Sequence, residues 1–294
     1  MILIADSGST KTDWALLSPT SLPRESSFNS QFLIFNSQGL NPVHQTPEAI
    51  VAVLRDELLP QLDADSIESV YFYGSGVRPE LESVMESVLF ETFPQAKNVE
   101  AHSDMFGAAR ALCGHNEGIA SILGTGANSC LYDGYAIVKN TPAMGYILGD
   151  EGSGASLGKR LVHDLYKGVL SKEIASDFER ETGLTLPILI DRVYRQPLPN
   201  RFLASLSAFI HSHLDDVSMR RMVVECFCDF FAFNIVPYGR PDIPVHFVGS
   251  IAFFYQSELR EAAERQGFSL GTVLRSPLEG LVNYHLLSLE NYSF

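Results

Sequence analysis

Two short stretches of this chain combine small residues, hydroxyls and a carboxylate in a pattern suited to holding an anion. The first is Ile2-Leu3-Ile4-Ala5-Asp6-Ser7-Gly8-Ser9-Thr10-Lys11-Thr12-Asp13-Trp14-Ala15-Leu16-Leu17. An apolar run enters a polar turn, and a second apolar run leaves it. Small residues let backbone N–H groups come close to an anion, and such a turn forms a concave nest for phosphate. Asp6, at the strand end, suits a hydrated Mg²⁺, which keeps several waters and takes few carboxylates. Taken alone, one such turn is better read as a solvated hairpin without a ligand. The second stretch is Ile119-Ala120-Ser121-Ile122-Leu123-Gly124-Thr125-Gly126-Ala127-Asn128-Ser129-Cys130-Leu131, again strand, Gly/Thr turn, strand. Two phosphate-sized turns in one chain are hard to explain as accident.

These turns need strands to hold them, and the pattern supplies two similar sets. In the first half, 28–35 reads as a third strand, followed by the polar loop Ser37-Gln38-Gly39-Leu40-Asn41-Pro42. Thr46-Pro47-Glu48 carries helix-start chemistry: an N-cap hydroxyl, proline in the first turn and an early acid. A strand is expected over Ile67–Tyr73, a helix over Arg78–Phe93, a strand over Asn98–Ala101 and a helix from Ser103 onward. The second half repeats the order, with strands near 118–123, 127–132 and 134–139, and a hairpin signal at Tyr132-Asp133-Gly134. Helices follow over Glu151–Leu170 and in several pieces through Ala175–Val236. Then come a strand at Val245–Val248, Gly249-Ser250, a helix to Gln266, a short strand at Phe268–Leu270 and a last helix over Leu278–Ser288. The reading is α/β: a duplicated βββαβαβα unit with helices inserted in the second copy. Two lobes are expected to face each other across a central cleft, with hinge bending between them.

The composition narrows the function. The chain has 294 residues, 46% hydrophobic and 19% charged, with net charge −14. That is an ordinary globular composition. Its acidity argues against nucleic acid or an anionic membrane as partner, since both need a basic surface. No basic leader precedes Ile2, and the most apolar run, Met222–Val236, is interrupted by Glu225, Asp229 and Asn234, so a buried helix is expected there. Four sparse cysteines, Cys113, Cys130, Cys226 and Cys228, suit reduced thiols in a cytoplasm.

The Asp-x-Gly-x-Thr hairpin at 6–10, the Gly-Thr-Gly hairpin at 124–126 and the strand-Gly-Ser-helix at 245–252 resemble the phosphate-1, phosphate-2 and adenosine motifs of the actin-like (ribonuclease H-like) sugar-kinase and heat-shock ATPase fold. Within it the chain is most similar to the N-acetylglucosamine kinase family, grouped with the activator ATPases of benzoyl-CoA reductase and 2-hydroxyacyl-CoA dehydratase. The resemblance covers nearly the whole chain. It implies an N-terminal lobe of 1–113 joined by a C-terminal helix of about 283–294, and a C-terminal lobe of 114–282. It implies ATP and Mg²⁺, with Asp6 orienting the ion through water. Ser7, Gly8, Ser9, Thr10, Lys11 and Thr12 would meet the β- and γ-phosphates, Gly124, Thr125 and Gly126 the phosphates from the other lobe, and Gly249 and Ser250 the adenosine. Asp104, in His102-Ser103-Asp104-Met105-Phe106-Gly107-Ala108, matches the catalytic carboxylate. Asn41, Asn128, Gly145 and Asp150 match positions bordering the sugar.

Each assignment has a plainer counterpart. Asp104 reads as a general base or as a carboxylate balancing a helix dipole, the latter worth at most about 1 kcal/mol. Asp150 could cap the helix that follows it, and Asn41 suits a turn before Pro42. Gly154-Ala155-Ser156-Leu157-Gly158 fits the hydrolase nucleophile pattern but falls in an expected helix rather than on a strand-to-helix elbow. His211 with His213, and Cys226 with Cys228, are two apart on helices and so point to different sides. No P-loop motif is present. The leading expectation is a cytoplasmic, homodimeric, Mg²⁺–ATP-dependent kinase acting on the 6-hydroxyl of N-acetylglucosamine or a close amino sugar. The alternatives are an ATPase activator of a radical dehydratase or reductase, with an iron–sulfur cluster shared between subunits, and a sugar or nucleotide sensor without turnover.

Overall fold

The computed structural model describes residues 1–8, 10–18 and 32–291, with side chains described through residue 288. Ser9 and residues 28–31 of the expected third strand lie outside the described residues. The chain divides into two units, Met1–His115 with Pro277–Phe294, and Asn116–Ser276.

The first unit is a five-stranded sheet ordered β3-β2-β1-β4-β5, built from β1 (Ile2–Ser7), β2 (Lys11–Leu17), β3 (Phe32–Gln38), β4 (Ser69–Gly74) and β5 (Asn98–Ser103). The first three strands pair antiparallel, and β4 and β5 run parallel to β1. Successive side chains of a strand face opposite ways, so a strand covered on both sides is apolar throughout. Leu3 and Ala5 join Trp14 and Leu16 in one core layer, while Ile2 and Ile4 join Ala15 and Leu17 in the other. Helices α1 (Pro47–Val53), α2 (Pro79–Thr92) and α3 (Asp104–Cys113) follow their strands. Thr46 caps α1 by accepting from Ala49 N at 3.3 Å, as its sequence predicts. The C-terminal helix, Leu278–Asn291, returns to this unit and lays Leu278, Leu281 and Val282 on the β1–β2 face. It crosses α3 closely: a Cβ on Gly280 would lie 2.4 Å from Ala111 O.

The second unit repeats this sheet strand for strand. Its order is β10-β9-β6-β7-β8, with β6 (Gly118–Leu123), β7 (Ala127–Tyr132), β8 (Ile137–Thr141), β9 (Val245–Val248) and β10 (Leu270–Leu274). Again three antiparallel strands lead, and two parallel strands follow. Between β8 and β9 lie α4 (Gly145–Leu148), α5 (Gly154–Tyr166), α6 (Lys172–Thr182), α7 (Leu186–Tyr194), α8 (Pro199–Ser205), α9 (Ser207–Ser212) and α10 (Val217–Phe230). After β9 come α11 (Ser250–Phe254) and α12 (Gln256–Arg265).

Three differences from the sequence reading have local causes. β8 begins three residues later than expected because the Asp133 carboxylate accepts from Tyr135 N and Ala136 N, widening the hairpin loop. The helix expected from Glu151 starts only at Gly154, since Asp150 and Gly152 adopt left-handed backbone with φ of 56° and 71°. The last strand lies at 270–274, pairing with β9, where Gly271 leaves room for His246. The apolar run of 222–236 is a largely buried helix, as expected, continuing α10 through a π-helical turn at Phe231–Ile235. Among the described residues, no helix is long and apolar enough to cross a membrane.

A buried polar cluster ties the C-terminal helix to the first sheet. Tyr73 Oη accepts from Arg110 Nη1 at 2.6 Å and so donates to His285 Nε2 at 2.9 Å, which keeps that imidazole neutral. Burial, and secondarily the Arg110 charge, push His285 down to about 3 from an ordinary 6.5. In the unfolded chain His285 takes up its proton first as pH falls. Its contribution to stability is therefore complete above about pH 6.5 and is lost on the way to pH 3, with a slope of up to about 1.4 kcal/mol per pH unit. Denaturant unfolding between pH 7 and pH 4.5 is expected to show this loss for the wild type, and His285→Gln to flatten it. Identical slopes in the two proteins would contradict the assignment.

Candidate active site

In the first unit, the turn after β1 is closed by Gly8 N donating to Lys11 O at 3.0 Å. Ser7 and Thr12 oppose each other across the hairpin and are fully buried. Their hydroxyls bond to each other at 2.7 Å, and Ser7 Oγ also accepts from Leu40 N and meets Leu40 O, both at 3.0 Å. These side chains are spent on the fold, so any contact they make with a phosphate is through backbone. Among the described residues of the turn, Gly8, Thr10 and Lys11 are exposed. Asp6 and Asp13 sit opposite each other on the hairpin, and opposed residues project from the same face. Asp13 pairs with Lys11 Nζ at 2.8 Å and accepts a hydrogen bond from the Asn36 amide. A carboxylate such as Asp6 at a strand end beside a small-residue turn fits the oxygen-rich, partly hydrated shell that Mg²⁺ requires.

The strand register brings further residues to this edge. Ser7 pairs with Gly74, and Gly74 with Ser103, so the ends of β1, β4 and β5 form a row about 10 Å across. The carboxyl ends of parallel strands are where open α/β sheets take their ligands. Asp104 directly follows this row. Ser103 supplies the N-cap, accepting from Phe106 N at 3.2 Å, which releases Asp104 from that duty. Asp104 Oδ1 accepts from Met105 N at 2.8 Å. Burial raises the carboxyl above its ordinary value, against the pull of these backbone N–H groups. Asn41 lies at the same edge, with its side chain against Gly76 and Oδ1 accepting from Val43 N at 2.9 Å. It makes the turn its sequence suits.

In the second unit, three distant segments meet at the turn after β6. Gly154 N donates to Gly124 O at 2.8 Å, and Ala155 N to Thr125 O at 3.1 Å, so the start of α5 abuts the turn. The Asp150 carboxylate accepts from Ala127 N, and a Cβ on Gly126 would lie 2.9 Å from its Oδ2. Burial raises this carboxyl too. Ser153, not Asp150, caps α5, so the plainer reading of Asp150 does not hold. Gly249, with φ of 121°, passes so close behind that its Cβ would lie 2.3 Å from Leu123 O. Asn128 Oδ1 accepts from Ser129 N and from Asn140 Nδ2 at 2.9 and 3.0 Å. Gly145 stands apart at the start of α4, joined to Asp150 through a loop that Asp150 N closes onto Ala143 O at 3.1 Å.

Ser250 opens a cavity of about 340 Å³ shared with Ser207, Ala208, His211, Phe254 and Tyr255. Apart from Ser250, sequence reasoning missed these residues. The only signal was an aromatic pair four residues beyond the Gly-Ser turn. His211 turns to Phe254 and Tyr255, while His213 stacks on Phe209, so the two histidines diverge as their spacing predicts. Ser156 lies in the first turn of α5 and offers no nucleophile elbow.

The close approach at Gly249 gives a direct test. Gly249→Ala forces a Cβ into backbone at a φ that side chains avoid, and is expected to destabilise the protein by about 1–3 kcal/mol in denaturant unfolding. Gly124→Ala, whose Cβ meets nothing within 4 Å, should change stability by less than about 0.5 kcal/mol. Equal effects would contradict the packing described.

No family model and no curated protein matches this chain. Solved structures do. A Porphyromonas gingivalis protein provisionally named an N-acetylglucosamine kinase is 46% identical, with a TM-score of 0.90 over 98% of this chain and 100% of that one. A Chromobacterium violaceum protein under the same provisional name is 17% identical, with a TM-score of 0.70 over 96% and 98% of the two chains. A Streptomyces griseus ROK family glucokinase, solved with glucose and AMPPNP, is 13% identical, with a TM-score of 0.54 over 97% and 98%. The last two show the shared two-lobed fold. With the P. gingivalis chain matched end to end at this identity, and the Gly8 and Gly124–Gly126 turns on equivalent hairpins of a duplicated sheet, the protein belongs to the N-acetylglucosamine kinase family of the actin-like ATPase superfamily.

Proposed function

We propose that this chain transfers the γ-phosphoryl group of ATP to the 6-hydroxyl of N-acetylglucosamine or a closely related amino sugar. The observation that carries the reading is Asp104: a carboxylate that is not the N-cap of its helix, raised by burial, one residue past a strand row that ends in an anion-sized turn. Sugar-kinase activity agrees with the family, and the N-acetyl sugar is the substrate in the name of the 46% identical relative.

Phosphoryl transfer asks for positioning and charge neutralisation rather than covalent help. In this reading the backbone of the turn after β1 is suited to hold phosphate, with Lys11 adding a cation, and the backbone of Gly124–Gly126 is suited to hold phosphate in the second unit. Asp6 would hold a hydrated Mg²⁺, which would supply neutralisation of phosphate charge. The cavity at Ser250 takes the adenine, offering aromatic faces from Phe254 and Tyr255. Asp104 accepts the proton of the sugar hydroxyl as its oxygen bonds to the γ-phosphorus, and the bond to the β-bridging oxygen breaks to release ADP. Asn41 Nδ2 in the first unit and the Asp150 carboxylate in the second are each suited to hydrogen-bond a sugar hydroxyl. The activator alternative fares worse: a shared cluster needs thiolates at a surface, whereas Cys113 and Cys130 are buried and burial pushes the Cys113 thiol up to about 12.

A coupled ADP-release assay with Mg²⁺–ATP against N-acetylglucosamine, glucosamine, N-acetylmuramate, N-acetylmannosamine and glucose tests the proposal. Sugar-dependent turnover is expected, and Asp104→Asn should lower kcat by about 10²–10⁴-fold. A base works only when deprotonated, so kcat/KM should fall at low pH through a value above the ordinary aspartate 3.8, because burial raises Asp104. Silence across the panel with ATP still bound would overturn the kinase reading.

A further inference from the structure

A second, basic pocket lies in the helical insertion. From residue 182 to 214 the chain carries three arginines and a single carboxylate, Asp191, within a protein of net charge −14. Two of these arginines, Arg192 of α7 and Arg201 of α8, line a cavity of about 300 Å³ together with Gln196 and Ser205. Asp191 is turned to the Gln196 amide, which donates to its Oδ2 at 3.0 Å. Among the described residues, Arg192 meets no carboxylate; its guanidinium lies over the Phe202 ring, 4.9 Å from the centroid. Stacking of this kind pre-orients the planar donor fork, which suits phosphate oxygens better than a lysine would. The loop between the arginines is constrained. Leu198, between Pro197 and Pro199, is held at φ of 56° while half its surface is exposed. Left-handed backbone at a non-glycine residue persists only where the surroundings over-determine it, and such residues cluster at ligand clamps.

The far side of α8 leads to the active-site turn. A Cβ on Gly158 of α5 would lie 2.0 Å from Leu203 O, and one on Gly154 would lie 3.0 Å from Ala204 Cβ. Contact this close leaves no slack for α8 to move without α5. The first two N–H groups of α5 in turn hold the carbonyls of Gly124 and Thr125. We infer that the Arg192–Arg201 pocket binds a small phosphate-bearing molecule, and that its occupancy is transmitted through α8 and α5 to the Gly124–Gly126 turn. The binding half stands independently of the proposed kinase activity; the coupling half rests on that reading, since it assumes that this turn holds nucleotide phosphate.

Titration calorimetry on the full chain, with ADP saturating so that nucleotide-site binding is blocked, tests the pocket with inorganic phosphate and glucose 6-phosphate as separate probes. Saturable binding is expected, weakened at least tenfold in both Arg192→Ala and Arg201→Ala, and less in Arg192→Lys. Tighter binding of the ester identifies a sugar phosphate as the natural class; equal binding identifies the free anion. Binding unchanged in both alanine variants, or none to the wild type, overturns the site, with thermal melts confirming that the variants are folded. For the coupling, ADP affinity measured with and without the tighter probe should differ at least threefold in the wild type and not in Arg201→Ala. No difference in the wild type overturns it. Failure of sugar-dependent turnover would overturn the kinase reading while leaving the calorimetric result intact.

Discussion

The turn between Leu123 and Ala127 is the point on which the second unit is built. Its backbone carries contacts from segments far apart in sequence. The start of α5 donates to Gly124 O and Thr125 O, the Asp150 carboxylate takes Ala127 N–H, and Gly249 passes where no Cβ fits. Close packing of backbone on backbone has few arrangements and little give. Three motifs that look separate in the chain are therefore one rigid device. A phosphate there would meet donors that need no reorganisation, the condition under which electrostatic stabilisation of a transferring group is greatest. The first unit solves the same problem differently, with the paired hydroxyls of Ser7 and Thr12 and the bonds of Ser7 to Leu40 fixing the turn from beneath.

Much of this was legible in the residues because it rests on local rules. Alternating apolar runs around Gly8 and Gly124 define hairpins, and Thr46-Pro47-Glu48 marks a helix start. The duplicated strand order gave the two sheets, which share one topology. What was not legible depends on distant partners. The hydroxyls of Ser7 and Thr12 look free to meet a ligand until the loop at Leu40 closes over them. Asp150 looks like a helix cap; its left-handed backbone, fixed by Ala143 and Ser153, turns the carboxylate to Gly126 instead. The cavity at Ser250 needs α9, more than forty residues upstream in the chain, and no local pattern announces that meeting.

Charge follows the same division between global and local. A net charge of −14 would repel ATP and phosphate from most of the surface. The places where anions are accepted must then be built by hand, from small-residue backbone turns and from arginines gathered where carboxylates are few. Asp104 and Asp150 belong to this scheme as well. Burial raises both, leaving each readier to take up a proton than an exposed carboxylate would be.

The account rests on one claim above others: that the Gly124–Gly126 turn, fixed by the start of α5, Asp150 and Gly249, binds nucleotide phosphate. Hydrogen exchange of the backbone amides, with and without Mg²⁺ and a non-hydrolysable ATP analogue, reads it most directly. Saturable slowing of exchange at Thr125 and Gly126 is the result predicted here. Exchange at both residues unchanged at saturating analogue would contradict it.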